Sequence, residues 1–194
     1  MAWWLPPVIW PDEEELWKRI INEAIRNGAK HFVCNEPWQA AFFKGREVDL
    51  VAGPFCNAAN AFTLASFAKL GFSAAFVSPE LTKEDFLALP KTSPLPLGIV
   101  LAGFWPMGIG RHDPLGIKRT KSFRAPRGKL LDPPLWADTW IYPAWPLDIT
   151  VHRPELEAAG VFLLRPHGGE SAQVDAGGHP SRPLQLGRRV VVAC

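Results

Sequence analysis

The first hundred residues repeat one pattern: a short apolar run without polar alternation, then a stretch of helical periodicity closed by glycine or proline. Asp49-Leu50-Val51-Ala52-Gly53, Ser73-Ala74-Ala75-Phe76-Val77-Ser78 and Leu97-Gly98-Ile99-Val100-Leu101-Ala102 are runs of this kind. A strand that is apolar on both faces has to be covered on both, which is the mark of parallel βα units. The units follow one another at roughly 20-residue spacing, as strand–helix alternation requires. With His31-Phe32-Val33-Cys34-Asn35 and an extended segment within Trp3–Trp10, the pattern gives about five strands up to Ala102. The fold class expected is α/β, an incomplete TIM-barrel-like array of parallel βα units. A closed barrel takes about 250 residues, and this chain has 194.

The helices carry their own punctuation. Asp12 after Pro11, with Glu15 three residues on, reads as a capping box ahead of the stripe Leu16, Trp17, Ile20, Ile21, Ala24 and Ile25, and Gly28 supplies the stop. Asn57 to Leu70 reads as the next helix, ended by Gly71. Thr82 with Asp85 reads as a further cap, Leu81 and Phe86 stand at the positions of a hydrophobic staple, and Pro90 closes that helix.

After Trp105 the pattern changes. Residues 111–140 are rich in Arg, Lys, Pro and Gly and read as a long excursion. Order resumes at Trp140-Ile141-Tyr142 and Pro146-Leu147-Asp148-Ile149, then a short helix Pro154–Ala159 stopped by Gly160, and a last strand Val161–Leu164. Beyond Arg165 the text turns to Gly, Pro, Arg and His. The expected organisation is a partial barrel domain over 1–164 and a poorly ordered tail over 165–194.

Composition narrows the function classes. A net charge of +2 is too small to argue for nucleic acid or an anionic membrane surface. Three scattered cysteines form no disulfide framework, and neither a C-x-x-C nor a Cys/His pair with zinc spacing occurs, so no metal or cofactor is expected. The start Met1-Ala2-Trp3-Trp4-Leu5-Pro6-Pro7 lacks a basic n-region, and no apolar run approaches the roughly 20 residues that span a bilayer. A soluble, cytoplasmic protein is the expectation. Nine tryptophans imply either a wide core or an aromatic binding surface.

In parallel α/β folds, sites form where strands end and helices begin. The polar residues at such places are Asn35 and Glu36, Asn57 and Asn60, Glu80, and Arg111 with His112; Asp148 belongs to a later turn. One of Asn57 and Asn60 suffices to cap a helix, and the other is then left to present its amide to a ligand. Glu80 reads either as a solvated carboxylate near a helix start or as a general base. Arg111-His112-Asp113 reads as a basic loop or as a cluster able to bind an anion and move a proton. No H-E-x-x-H, Ser-His-Asp signature or Walker loop names a reaction.

Gly53-Pro54-Phe55-Cys56-Asn57-Ala58-Ala59-Asn60, followed by Thr63-Leu64 and Lys69-Leu70-Gly71, resembles the collagenase-like peptidase family, U32. Ser78-Pro79-Glu80-Leu81 resembles that family's Ser-Pro-Glu-Leu element. Pro146-Leu147-Asp148, with Glu155-Leu156 and Ala159-Gly160, resembles its later Pro-Leu-Asp and Glu-Leu-x-x-x-Gly pattern. The ordered agreement runs from about residue 30 to 163. It implies a TIM-barrel-like fold and a hydrolase acting on peptide bonds of a peptide or protein substrate. Glu80 and His112 are then the catalytic candidates, with Asn57, Asn60 and Arg111 as substrate-binding candidates.

The resemblance also extends to relatives that hydroxylate RNA bases or quinone precursors with an iron–sulfur cluster on four cysteines. Where those read Ser-Arg-Tyr-Cys, this chain reads Gly110-Arg111-His112-Asp113, and no cysteine lies between Cys56 and Cys194. Four thiolates are not available from this chain alone. Two further readings follow: a non-catalytic module binding a peptide or an aromatic ligand, and a truncated remnant. The remnant would self-associate or take a partner chain to complete the barrel, because half a barrel exposes strand edges.

Overall fold

The computed structural model describes residues 2–103, 105–106, 108–109, 123–124, 130–132, 140–143 and 146–164. These fall into two units, one of residues 2–100 and 152–164 and the other of residues 101–151.

The first unit is built on six strands: β1 Trp3–Trp4, β2 His31–Cys34, β3 Asp49–Ala52, β4 Phe72–Phe76, β5 Leu97–Val100 and β6 Phe162–Leu164. The helices are α1 Glu14–Arg26, α2 Ala61–Lys69, α3 Lys83–Ala88 and α4 Arg153–Ala158. All neighbouring strands are parallel, and their spatial order is their chain order from β1 to β6. A sheet that never reverses its winding has no switch point of the dinucleotide-binding type. Right-handed crossovers that always advance in one direction place their helices on one face and turn the other into an interior. Among the described residues, the outer strands β1 and β6 each pair with one neighbour, which leaves the sheet open. This is the incomplete TIM-barrel-like α/β array that the apolar runs predict.

The register sorts the two faces. Trp4, Val33, Val51 and Ala74 lie in line, and the next row along the strands is Asn35, Gly53, Phe76, Gly98 and Phe162. These residues share the inner face, where the Trp4 and Phe76 rings lie 5.6 Å apart although β2 and β3 separate their strands. Phe162 then crosses β5 to meet Phe76 at 5.3 Å. It can do so because the position between them is Gly98: a methyl group there would run into the Phe162 ring. The outer face carries Phe32, Cys34, Leu50, Ala52, Leu97 and Ile99, all buried. Phe43 covers Phe32 at 4.7 Å, and Phe67 of α2 covers Phe72 at 5.6 Å. Each fully buried side chain of this size contributes about 1.5–3 kcal/mol.

Helix ends follow the sequence with two corrections. Gly28 adopts φ +89°, its N–H donates to Ile25 O, and the N–H of Ala29 donates to Ala24 O, which closes α1 in a Schellman motif. Thr82 caps α3, accepting from the Asp85 N–H at 3.2 Å. The capping box expected from Asp12 is not what starts α1. The chain first turns at Pro11–Glu13, with the Glu13 N–H on Trp10 O, so the N-cap falls on Glu13 and Glu14 and Glu15 occupy the first turn. Asn57 likewise lies outside the helix expected from it, because α2 begins only at Ala61.

The strand expected over Leu97–Ala102 ends at Val100, and the second unit begins at Leu101. Ala102–Gly103 forms a separate antiparallel pair with Leu147–Asp148. Phe123–Arg124, Leu130–Asp132, Trp140–Pro143 and Gly108–Ile109 form a four-stranded antiparallel sheet. Part of the segment expected as a long loop is therefore strand, in pieces too short to give a visible alternation. The tail over 165–194 lies outside the described residues. Among the described residues, no helix is long and apolar enough to cross a membrane.

Candidate functional site

The carboxyl ends of β2, β3 and β4 gather most of the polar residues singled out by the sequence. At the end of β2, Asn35 is 2% exposed. Its Nδ2 donates to Leu5 O at 2.7 Å, and its backbone N–H donates to Gln39 Oε1 at 2.9 Å. Gln39, 0% exposed, also donates through Nε2 to Pro6 O at 2.8 Å and accepts from the Glu36 N–H at 3.3 Å. One glutamine thus fastens the chain after β1 to the end of β2. Sequence reading overlooked it, although Glu36-Pro37 with Gln39 at the third following position is a helix-start signature. The segment it opens is a 3₁₀ helix, Pro37–Phe43.

Glu36 stands half-buried beside this network, and burial lifts its carboxyl above the usual carboxylate range. Cys34 and Cys56 lie close by on adjacent strand ends. Burial pushes both thiols up to about 12, with the charge of Glu36 adding to the effect on Cys56. The Cys56 thiol donates to Cys34 O at 3.2 Å. Neutral, enclosed thiols are poor nucleophiles and poor metal ligands. Two of them do not fit the four-thiolate set of an iron–sulfur cluster. Among the described residues, no group of three or more His, Cys, Asp and Glu is placed to hold a metal ion.

After β3, Gly53 leads into a 3₁₀ turn, Pro54–Cys56, which ends with Asn57 in the left-handed region at φ 52°. Asparagine is among the few residues that enter this region readily, since its short amide can bond locally. Asn57 is exposed there. Asn60 is the cap of α2: its Oδ1 accepts from the Thr63 N–H at 2.9 Å and from the Thr63 hydroxyl at 3.2 Å. Of the two asparagines, Asn60 caps and Asn57 does not.

Between them, Ala58 forms a parallel bridge with Val77, and the Ser78 N–H donates to Ala58 O at 3.0 Å. The Gly53–Asn60 and Ser78–Leu81 segments, separate in sequence, are therefore joined through the backbone. Ser78 is 3% exposed, and its hydroxyl accepts from the Glu80 N–H at 3.4 Å. Glu80 itself is exposed in the turn after Pro79. Arg111 and His112 lie outside the described residues. Asp148 belongs to the second unit, where its Oδ1 accepts from the Thr150 hydroxyl and N–H, which holds its carboxyl below the usual range.

No family model matches the chain, and no curated protein matches it by sequence. Among solved structures it is similar to the U32 peptidase Mk0906, with a TM-score of 0.46 and 15% identity, over 83% of this chain and 64% of that one. The chain thus spans less than two thirds of the length of that protein.

Proposed function

We propose that this chain is a U32-like protein of the collagenase-like peptidase type, which takes a peptide at the carboxyl ends of its strands and hydrolyses it. The observation that carries this reading is the junction of Ala58 with Val77 and Ser78, which sets two of the three family-like segments side by side at that edge. The exposed amide of Asn57 then offers a donor and an acceptor to a peptide backbone. Glu80 or His112 serves as general base toward water, and Arg111 anchors a substrate carboxylate. The buried, neutral Cys34 and Cys56 support a water nucleophile over a thiolate.

Incubation of the purified chain with gelatin or a peptide library tests this. Cleavage is expected, and it should fall at least about a hundredfold in Glu80→Gln or His112→Ala, the usual scale of a lost acid–base group. Cleavage unchanged in both variants removes those two assignments. The absence of cleavage by the wild-type chain removes the hydrolytic reading.

A second reading is a peptide- or aromatic-ligand-binding module without turnover. It is favoured by Trp38 and Phe62, which are 44% and 88% exposed on the segments that follow β2 and β3. Tryptophan quenching by peptide without product would select it. An open sheet also leaves room for a second copy or a partner chain to complete the barrel, which sedimentation of the purified chain would reveal.

A further inference from the structure

Of the chain's five asparagines, only Asn27 is followed by glycine. Asn27-Gly28 is the exposed corner at which α1 ends and the chain turns toward β2. A glycine brings no side chain to shield its backbone nitrogen. The space around Gly28 is also open, since a methyl group added there would meet nothing within 4 Å.

The bonds that close this corner engage both nitrogens of a reactive pair. Asn27 Nδ2 donates to Glu23 O at 2.9 Å and to Glu23 Oε1 at 3.0 Å. The Gly28 N–H donates to Ile25 O at 2.9 Å, with Gly28 at φ +89°. The nitrogen able to attack the side-chain amide and the nitrogen that would leave are therefore both held while the helix end is closed. The last carbonyls of α1 carry the negative end of the helix dipole, and Asn27 meets them with a donor. The Glu23 carboxylate adds its charge at the same place, where it pairs with Arg26 Nη1 at 3.3 Å.

We propose that Asn27 is a site of spontaneous deamidation, locked while the last turn of α1 is closed and released when it opens, and that its product holds the corner less firmly. The Gly28 nitrogen attacks Asn27 Cγ and gives its proton to solvent. A C–N bond forms and closes a cyclic imide, the Cγ–Nδ2 bond breaks, and Nδ2 takes a proton from solvent and leaves as ammonia. Water then opens the imide at either carbonyl, giving an aspartate or an isoaspartate. No electrons are transferred, and water is the only co-reactant.

The new carboxylate has no donor for Glu23 O. It also sets a negative charge against Glu23 and the end of the helix. The isoaspartate form lengthens the backbone by one carbon, which puts the Gly28 and Ala29 bonds out of register. Asn22, Asn35, Asn57 and Asn60 precede glutamate or alanine, whose side chains crowd the attacking nitrogen. The inference uses none of the residues proposed for hydrolysis and stands without it.

The test incubates the full chain at mildly alkaline pH, folded and in denaturant, and follows aspartate and isoaspartate at each asparagine by peptide mass spectrometry and enzymatic isoaspartate methylation. In denaturant Asn27 should react first. The folded chain should react there at least about tenfold more slowly, because the helix end has to open beforehand. Folded Glu23→Ala should react about fivefold faster than the wild type, the scale of one lost hydrogen bond. Glu23→Gln keeps an acceptor at Oε1 and should stay near the wild-type rate. Asn27→Asp should show faster amide exchange at Gly28 and Ala29.

The proposal is overturned if another asparagine reacts before Asn27 in denaturant, or if the folded chain reacts there as fast as the denatured one. It is overturned equally if Glu23→Ala reacts no faster than the wild type. Unchanged exchange at Gly28 and Ala29 in Asn27→Asp overturns the claim that the product loosens the corner.

Discussion

The backbone N–H of Ser78 donates to the carbonyl of Ala58 at 3.0 Å, tying the loop after β3 to the end of β4. The bond extends the parallel pairing of the two strands beyond their regular ends, through Ala58 and Val77. It holds Asn57 and Glu80 on neighbouring, mutually braced turns.

Gly98→Ala should unfold the inner aromatic cluster before anything else. The added methyl meets the Phe162 ring, which has to leave Phe76 or push β6 away from β5. Overpacking of this kind costs about 1–3 kcal/mol. Urea denaturation should show a lowered midpoint with an unchanged slope, and an unchanged midpoint would contradict the packing described.

Gln39→Ala should cost more than a surface change of the same size. It removes the acceptor of the Asn35 and Glu36 N–H groups and the donor to Pro6 O, in a place without exposure. Buried groups left unpaired cost about 1–3 kcal/mol each. The expected loss is therefore at least about 2 kcal/mol, with faster amide exchange at Asn35. A loss below about 0.5 kcal/mol, the level of an ordinary surface substitution, would show that the network is not holding the segment.

Asn60→Ala should lower stability by about 1 kcal/mol through loss of the α2 cap, and Asn60→Asp or Asn60→Ser should restore most of it. Thermal melts of the three variants decide this. If Asn60→Asp is no better than Asn60→Ala, capping is not the work of that side chain.

The two enclosed thiols make stability fall at high pH. Their folded value of about 12 lies above that of an exposed cysteine, so the unfolded chain releases its protons first as pH rises. The contribution is complete below about pH 8.5 and is lost progressively toward pH 12. In a Cys194→Ser background, a thiol reagent at pH 8 should leave Cys34 and Cys56 unmodified until denaturant is added. Rapid modification of the folded chain would contradict their burial.

Much of the first unit was legible in the sequence because its signals are local. Apolar runs such as Asp49–Gly53 marked buried parallel strands, Gly28 marked a helix end, and Thr82 with Asp85 marked a helix start. What escaped was set by tertiary contact. Asn57 has the composition of a helix start but takes a left-handed turn, because Ala58 is drawn into pairing with Val77. The 3₁₀ segment Pro37–Phe43 has no apolar period, and its anchor, Gln39, is a polar residue buried only because three backbone groups need it. Of the candidate site, the placement of Asn57, Asn60 and Glu80 at strand ends was readable. The fastening of Asn35 by Leu5 and Gln39 was not, because those residues meet only through the pairing of β1 with β2.

The strand order has a consequence for how the chain reaches its fold. Strands β1 to β5 each pair with the next one in sequence, so their contacts close short loops and can form as the chain lengthens. The exception is β6, which joins β5 only after the whole of residues 101–151 has intervened. Closing a longer loop adds only about 0.6 kcal/mol for each doubling of its length. The interval between β5 and α4 is thus the place where this scaffold can gain or lose tens of residues at little thermodynamic expense. The final docking of Phe162 over Gly98 should be the slow event of folding, and that seam the first to open on unfolding.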